Sequence, residues 1–210
     1  MEEVQPDSSQ TERLLEQVQG GDRQAFDQLF ARHRAYLRRI VELRLDTGLR
    51  ARVDPSDVVQ DAHLDAFRRL DTYLRQRPMP FRLWLRQIAC DRTLKARRHH
   101  LGTARRAMGR EVPLPERSSL VLARQLFAGS STPSQQLDRR DLARRLRQAV
   151  AQLPEADREV ILMRHFEGLS NSEVSCLLGI DPATASKRHG RAMLRLHRIL
   201  FAGGMTESQL

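Results

Sequence analysis

Apolar residues recur every three or four positions along most of the chain, which is the spacing of one face of an α-helix. After Asp22, a residue type that favours helix starts, the apolar positions are Phe26, Leu29, Phe30, Leu37, Ile40 and Val41. The same spacing predicts helices over about 55–70 and 80–100, and further helices between about 136 and 202. No segment alternates apolar and polar residues convincingly, as a strand would. The pattern therefore predicts an all-α fold.

The helical spacing also predicts which side chains face the core. On the helix over 55–70 they are Val58, Val59, Ala62, Ala66, Phe67 and Leu70. On the helix over 80–100 they are Phe81, Trp84, Leu85, Ile88, Ala89 and Leu94. In the last helix they are Met193, Leu194, Leu196 and Ile199.

Three segments break the periodicity and predict the domain organisation. Residues 101–135 contain Gly, Pro and Ser without sustained helical spacing, which is typical of a linker, with LVLARQLF inside it as one possible helical turn. Residues 1–21 predict an N-terminal extension with a short helix over 11–19, and 203–210 form a polar tail. Two helical modules, 22–100 and 136–202, remain.

Prolines mark two shorter loops inside the first module. The stretch LDTGLRARVDPSD predicts a loop that ends where Asp54 caps a helix and Pro55 occupies its first turn. The stretch TYLRQRPMP, residues 72–80, contains two prolines and is predicted to be a loop.

The C-terminal region predicts a helix-turn-helix. Ser170 and Glu173 have capping-box spacing, Gly179 permits a backbone reversal, and Asp181 with Pro182 begins a second helix. The second helix of such a pair enters the DNA major groove. The predicted DNA-facing residues are Ala183, Thr184, Lys187, Arg188, Arg191 and Arg195. An ordinary helical hairpin with a solvated basic face is the alternative.

The helix over 55–70 carries acidic residues on one face of a basic protein. They are Asp57, Asp61 and Asp65, with Gln60 beside them. Like charges four residues apart destabilise an isolated helix slightly, so a basic protein partner would explain them. A solvated face is the alternative.

Basic residues concentrate on the helix over 80–100 and on the loop before it. Arg92, Lys95, Arg97 and Arg98 lie on the helix, where they would suit a DNA backbone. Tyr73, Arg75 and Arg77 lie in the predicted loop, which has the residue types that hold an unstacked base.

Composition favours a nucleic-acid partner and argues against several other classes. The chain has 36 Lys and Arg against 26 Asp and Glu, a formal net charge of +10, and lysine only at Lys95 and Lys187. Arginine favours forked contacts to phosphate and guanine, although a GC-rich genome also raises arginine content. The acidic, polar start is not typical of a signal peptide, and no apolar run is long enough to insert into a membrane.

Neither an enzyme nor a cofactor-binding protein is indicated. Cys90 and Cys176 lie far apart in helical patterns, which suits a reducing cytoplasm. The histidines have no metal-ligand spacing, and no nucleophile and base pair or phosphate-binding glycine loop is visible. A metal-dependent nuclease built on Asp57, Asp61 and Asp65 would need ligands from a second segment.

Three stretches together resemble the extracytoplasmic-function sigma factors of bacterial RNA polymerase. They are DPSDVVQDAHLDAF, FRLWLRQIACDRTLKARR and LPEADREVILMRHFEGLSNSEVSCLLGIDPATASKRHGRAMLRL, which are similar in order and separation to that family's regions 2.1–2.2, 2.3–2.4 and 4.1–4.2. The forms RHFEGLSNSEV and TPSQ are similar to a planctomycete-type subgroup.

The resemblance implies a region 2-like bundle, a region 4-like helix-turn-helix domain, and a role in promoter recognition and melting. Asp57, Gln60 and Asp61 match the surface for the β′ clamp helices, with Asp65 on the same stripe. The basic helix matches the −10 element reader, the 72–80 loop matches the pocket for a flipped base, and the last helix matches the −35 reader. The implied partners are core polymerase, including its β flap, promoter DNA and an anti-sigma factor.

Two features leave alternatives open. The linker carries Arg105, Arg106, Arg110, Arg117 and Arg124, whereas family linkers often have acidic character, so its path through polymerase is not implied. A stand-alone helix-turn-helix regulator is the other hypothesis. It would need a dimer interface, and no apolar stripe is left over for one.

Overall fold

The computed structural model describes residues 4, 7–45, 47–102 and 135–202, which fall into two compact units. The first unit contains α1 (Ser9–Gln19), α2 (Arg23–Arg44), α3 (Thr47–Arg50), α4 (Pro55–Gln76) and α5 (Phe81–Gly102). The second contains α6 (Gln135–Gln152), α7 (Glu155–Ile161), a π-helical turn (Leu162–Phe166), α8 (Asn171–Leu178) and α9 (Pro182–Ala202). These residues include no strand, and the all-α prediction is confirmed.

Helices α2, α4 and α5 pack on one another and form the centre of the first unit. Phe26, Leu37 and Phe81 are fully buried between them. Each such side chain contributes about 1.5–3 kcal/mol of hydrophobic stabilisation. The predicted core residue Trp84 is also buried, in contact with the ring of Tyr73.

Helix α1 belongs to the same core. Its side chains Leu14 and Leu15 are buried in the cluster that α2, α4 and α5 share. The hydroxyl of Ser8 caps the helix by accepting a hydrogen bond from the Thr11 amide at 3.3 Å. The predicted boundary at residue 22 therefore separates α1 from a bundle into which it packs.

The second unit forms around α9, which packs against α6, α7 and α8. Leu146 of α6, Ile161 of α7 and Leu196 of α9 are buried in it. The π-helical turn extends α7 and ends before Gly168, which has a φ of 71°.

The predicted helix starts have the predicted caps. The Asp22 carboxylate accepts from the amides of Gln24 and Ala25 at 2.9 and 3.2 Å. The Asp54 carboxylate accepts from the Ser56 amide at 2.7 Å. Each cap satisfies backbone donors that a helix leaves unpaired in its first turn.

Several structural expectations were wrong. Helix α4 continues to Gln76, so only residues 77–80 of the predicted 72–80 loop lie outside helices. Helix α3 occupies part of the loop predicted before Asp54. Phe67, Leu94 and Leu194 were expected in the core, but 42%, 38% and 62% of their surfaces are exposed.

Some predictions concern residues outside the described ranges. They are most of the linker, with its helical turn LVLARQLF, and the tail over 203–210.

Candidate functional site

One exposed face of α4 combines acidic and apolar side chains. Asp57, Gln60 and Asp61 are exposed on it, as the stripe predicted. Leu64 and Phe67 follow at helical spacing, with 47% and 42% of their surfaces exposed. These five residues are called the α4 face below. An exposed apolar pair beside carboxylates is typical of a protein-binding surface.

Asp65 does not belong to the α4 face, and its placement on an exposed stripe was wrong. Its side chain is 7% exposed and its two oxygens meet two nitrogens of Arg92, at 2.7 and 3.0 Å. Arg69 adds a second ion pair at 2.8 Å. The hydrogen bond from Arg92, and then the nearby charges of Arg69, Arg92 and Lys95, lower the pKa of Asp65 despite its burial.

Arg92 is consequently a structural residue. It was predicted to face DNA, but the Asp65 carboxylate occupies its guanidinium and only 22% of its side chain is exposed. The hydrogen bond to Asp65 raises the pKa of Arg92 further. The buried pair joins α5 to α4 and holds the two helices in register.

The C-terminal half of α5 keeps an accessible basic surface. Lys95 and Arg98 are exposed at a spacing of three residues, and Arg97 between them is half-buried. His99 is exposed beside them. These residues would neutralise phosphates along a DNA backbone.

Tyr73 lies in the core, and its assignment to a base-binding loop was wrong. The ring is buried on α4, 4.5 Å from the ring centroid of Trp84 and 5.4 Å from that of Phe81. Its hydroxyl donates a hydrogen bond to the carbonyl of Met79 at 3.1 Å. Burial raises the pKa of the Tyr73 hydroxyl, so it remains a donor.

The four residues 77–80, called the α4–α5 loop below, are held by contacts that the sequence analysis missed. Arg77 is exposed and adopts a left-handed conformation with φ 36° and ψ 57°. It is the one residue other than glycine with positive φ in the described chain. Its guanidinium lies 2.7 Å from the carboxylate of Glu12 on α1. Arg75 is exposed on the last turn of α4.

Asp7 caps α5 from a distance of 74 positions in the sequence. Its carboxylate accepts a hydrogen bond from the Phe81 amide at 2.6 Å. Pro78, Met79 and Pro80 precede α5 and have no side-chain oxygen to do so. The missing local cap was a signal in the sequence that some other residue must satisfy this helix start.

The helix-turn-helix has the predicted turn chemistry. The Ser170 hydroxyl accepts from the Glu173 amide at 3.1 Å, and the Glu173 carboxylate accepts from the Ser170 amide at 2.8 Å. Gly179 has the positive φ of 62° that the reversal requires. Asp181 accepts from the Thr184 amide at 2.8 Å. Hydrogen bonds from the side chain and then the backbone of Thr184 lower the pKa of Asp181.

The structure brings most of the predicted −35 residues to the first half of α9. Ala183, Lys187 and Arg191 are exposed, and Thr184 and Arg188 are half-buried beside them.

Arg195 follows one turn after Arg191, but it already has a partner within the unit. Its guanidinium lies 2.5 Å from the carboxylate of Asp157 on α7. The side chain is 54% exposed, so it lies at the edge of the basic surface.

Two histidines meet behind this surface. The Nε2 atoms of His165, in the π-helical turn, and His189, on α9, are 2.9 Å apart. Burial, the charge of His189 and the charge of Arg164 lower the pKa of His165 to about 4. Burial and then Arg164 lower the pKa of His189 as well. Both rings are therefore neutral at pH 7 and join the two segments by a hydrogen bond.

Metal sites and membrane-spanning helices are both absent from the part of the chain that the structure describes. Nowhere in residues 7–45, 47–102 and 135–202 do three or more His, Cys, Asp or Glu side chains form a possible metal site. Within the same ranges, the helices are too short or too polar to cross a bilayer. The arginines around Asp65 also remove it from the carboxylate set that a nuclease would need.

Comparisons with known proteins point to one family. Residues 143–196 match the family model described as Sigma-70, region 4. The chain is 30% identical over 189 residues to the RNA polymerase sigma factor CnrH of Cupriavidus metallidurans, and the alignment covers 90% of this chain and 93% of that protein. It is 28% identical over 179 residues to the ECF RNA polymerase sigma-E factor of Escherichia coli, covering 85% and 88%.

Two solved structures share the fold. A structure of CnrH in complex with the cytosolic domain of CnrY has a TM-score of 0.58 at 24% identity, covering 92% of this chain and 99% of that one. The sigma factor RpoE of Bartonella quintana, in complex with the anti-sigma factor NepR, has a TM-score of 0.53 at 18% identity, covering 83% and 96%.

Proposed function

Because this chain belongs to the extracytoplasmic-function sigma factors of bacterial RNA polymerase, we propose that it divides the work of a promoter-specificity subunit between its two units. The first unit binds core polymerase and the single-stranded −10 element, and the second binds the −35 duplex. The observation that supports the two roles of the first unit most directly is that it carries two exposed surfaces of opposite character. One is acidic and apolar and lies on α4, and the other is basic and lies on α5.

The α4 face binds the β′ clamp helices of core polymerase. Asp57, Gln60 and Asp61 supply acidic and polar contacts, and Leu64 and Phe67 supply apolar area that is uncovered in the free protein. This combination favours a basic protein surface with an apolar centre over DNA, whose phosphates the carboxylates would repel.

The −10 element binds to the basic end of α5 and to the α4–α5 loop. Lys95, Arg97 and Arg98 contact the phosphate backbone, while Arg75 and Arg77 flank a base turned out of the stack. Tyr73 and Arg92 act one layer deeper: Tyr73 supports the loop through the Met79 carbonyl, and Arg92 fixes α5 on α4.

The −35 element binds to the N-terminal half of α9. Ala183, Thr184, Lys187 and Arg191 face the base edges of the major groove, because they lie in the first turns of α9 after the Asp181 cap. Arg188 faces the same base edges, and Arg195 lies nearer the phosphates.

The other partners and the cellular site follow from the family. The second unit contacts the polymerase β flap, and an anti-sigma factor controls availability of the protein. Polymerase and promoter DNA are in the cytoplasm, which is where we place the protein. It carries out no covalent chemistry of its own and uses no cofactor or metal.

One binding experiment tests this assignment. The full chain is mixed with core polymerase and sheared genomic DNA, and the DNA that the assembled holoenzyme retains is sequenced. We expect a shared pair of short sequence blocks upstream of transcription units. Retention of DNA by the chain in the absence of core, with the same blocks, would instead favour a stand-alone regulator.

A further inference from the structure

The N-terminal segment contacts the α4–α5 loop at both ends. Glu12 of α1 holds the Arg77 guanidinium, 2.7 Å away, where the loop begins. Asp7 holds the Phe81 amide, 2.6 Å away, where the loop ends and α5 begins. The partners of the two contacts are 65 and 74 residues apart in the sequence. Both are therefore tertiary contacts and not local hydrogen bonds of a turn.

The loop itself has little means of fixing its own shape. Pro78 and Pro80 have no amide hydrogen to donate, and Met79 is held by its side chain, which packs against the core, and by its carbonyl, which accepts from Tyr73. Arg77 occupies a left-handed conformation that residues other than glycine adopt at a cost. A charged partner directly on this side chain favours the strained conformation over its alternatives.

Burial marks the Asp7 contact as a specific one. The carboxylate lies against the start of α5 and its pKa is raised by burial, even though backbone amides of Phe81 and Arg82 donate to it and lower the pKa in part. Burial disfavours a charged carboxylate, and the amides at the start of α5 offset part of that cost by donating to it.

We propose that Asp7 and Glu12 are positioning residues that set the shape of the α4–α5 loop and thereby its selectivity for the captured base. This inference rests on the proposed role of that loop in holding a flipped −10 base. Glu12 contacts the Arg77 guanidinium and Asp7 contacts the Phe81 amide, and the two carboxylates act on the loop through these contacts. They hold the loop in one conformation before DNA binds, so the preferred base binds without the free-energy cost of ordering the loop. Other bases fit this conformation less well.

The test is a selection with the assembled holoenzyme. Core polymerase and the full chain are incubated with a pool of single-stranded DNA that has a randomised segment, and the bound fraction is sequenced. The variants are Glu12→Gln, Asp7→Ala and Asp7→Asn. Glu16→Gln is the matched control, since Glu16 is exposed one turn further along α1 and its loss removes the same charge from the same helix. Core binding of each variant is measured in parallel.

We expect Glu12→Gln and Asp7→Ala to reduce the enrichment of the preferred base by about fivefold, the size of one exposed ion pair or one helix cap, while core binding is unchanged. Asp7→Asn keeps an acceptor oxygen and is expected to retain the preference, as is Glu16→Gln.

Two results overturn the inference while the proposed function stands. One is wild-type base preference in both Glu12→Gln and Asp7→Ala. The other is a loss of preference that is matched by an equal loss of core binding, because the segment would then only stabilise the unit. A wild-type holoenzyme that enriches no base at any position would overturn the proposed role of the loop, and the inference with it.

Discussion

The guanidinium of Arg92 on α5 meets the carboxylate of Asp65 on α4 at 2.7 Å, inside the first unit. The pair connects the helix that carries the proposed polymerase surface to the helix that carries the proposed −10 surface. Both side chains are mostly buried, so removing the Asp65 carboxylate takes from Arg92 the partner that its guanidinium meets at two nitrogens.

Asp65→Asn is therefore expected to destabilise the first unit by about 2 kcal/mol, since it leaves Arg92 partly unpaired in a buried position. Chemical denaturation followed by the fluorescence of Trp84, the single tryptophan, measures the free energy of unfolding. Asp61→Asn, an exposed change four residues earlier on α4, is the control and is expected to change it by less than about 0.5 kcal/mol. Equal effects of the two substitutions would contradict the structural role of the pair.

Asp61→Arg is expected to abolish co-purification with core polymerase. The substitution reverses a charge at the centre of the α4 face and opposes a basic partner, while the exposed position leaves the fold unchanged. Glu16→Arg makes the same charge change at an exposed position of α1 and is expected to retain binding. Undiminished recovery of Asp61→Arg with core would refute the clamp-binding assignment.

Arg191→Ala is expected to weaken −35 duplex binding by about 1–3 kcal/mol if the side chain reads a base edge. Fluorescence anisotropy with holoenzyme and a duplex from the selected DNA measures this, and core binding should not change. Arg144→Ala, an exposed arginine on α6, removes the same charge from the same unit. If both variants lose affinity equally, net charge explains the binding and a specific contact does not.

The His165–His189 pair predicts acid sensitivity of the second unit. Both pKa values are lowered in the folded state, that of His165 to about 4, from an ordinary value of 6.5. The unfolded state therefore binds more protons between these values, so this contribution is fully present above pH 6.5 and is lost progressively as pH falls toward 4.

Hydrogen exchange of the full chain measures the acid sensitivity directly. Protection of α9 amides, corrected for the intrinsic pH dependence of exchange, is expected to fall between pH 7 and pH 5. His165→Gln removes one of the two titrating groups and should reduce the pH dependence. A His165→Gln variant with the same pH dependence as the wild type would show that other groups are responsible.

The parts of the structure that the sequence predicted correctly are local. Caps such as those of Asp22 and Ser170 form between a side chain and an amide two or three residues away. A short segment therefore contains all the information, and the helix starts follow from it. Gly179 belongs to the same class, because a left-handed turn selects glycine at that single position.

The parts that were missed depend on partners distant in sequence. Asp61 and Asp65 have the same spacing and chemistry, and only the position of Arg92, 27 residues away, shows that Asp65 is internal. Asp7 and Glu12 lie in the predicted N-terminal extension. Their roles could not be predicted from that segment, because their partners are Phe81 and Arg77 at the two ends of the α4–α5 loop.

Tyr73 illustrates a different difficulty. The prolines at 78 and 80 indicate a break, and the loop was predicted to begin at residue 72, although Leu70, Tyr73 and Leu74 continue the helical spacing of α4. A helix that ended at residue 71 would leave the Tyr73 ring available to a base, whereas the rings of Phe81 and Trp84 on α5 contact it. Phe67 shows the reverse: its spacing suited the core, yet 42% of its surface is exposed on the α4 face.

Transcription in vitro tests the promoter-directing role most directly. Core polymerase is supplied with nucleotides and a template that carries the DNA selected by the holoenzyme, with and without the full chain. Transcripts from one fixed start site that require the chain, and that disappear with Asp61→Arg, are the expected result. Absence of a chain-dependent start site on such a template, although the chain binds core, would contradict it.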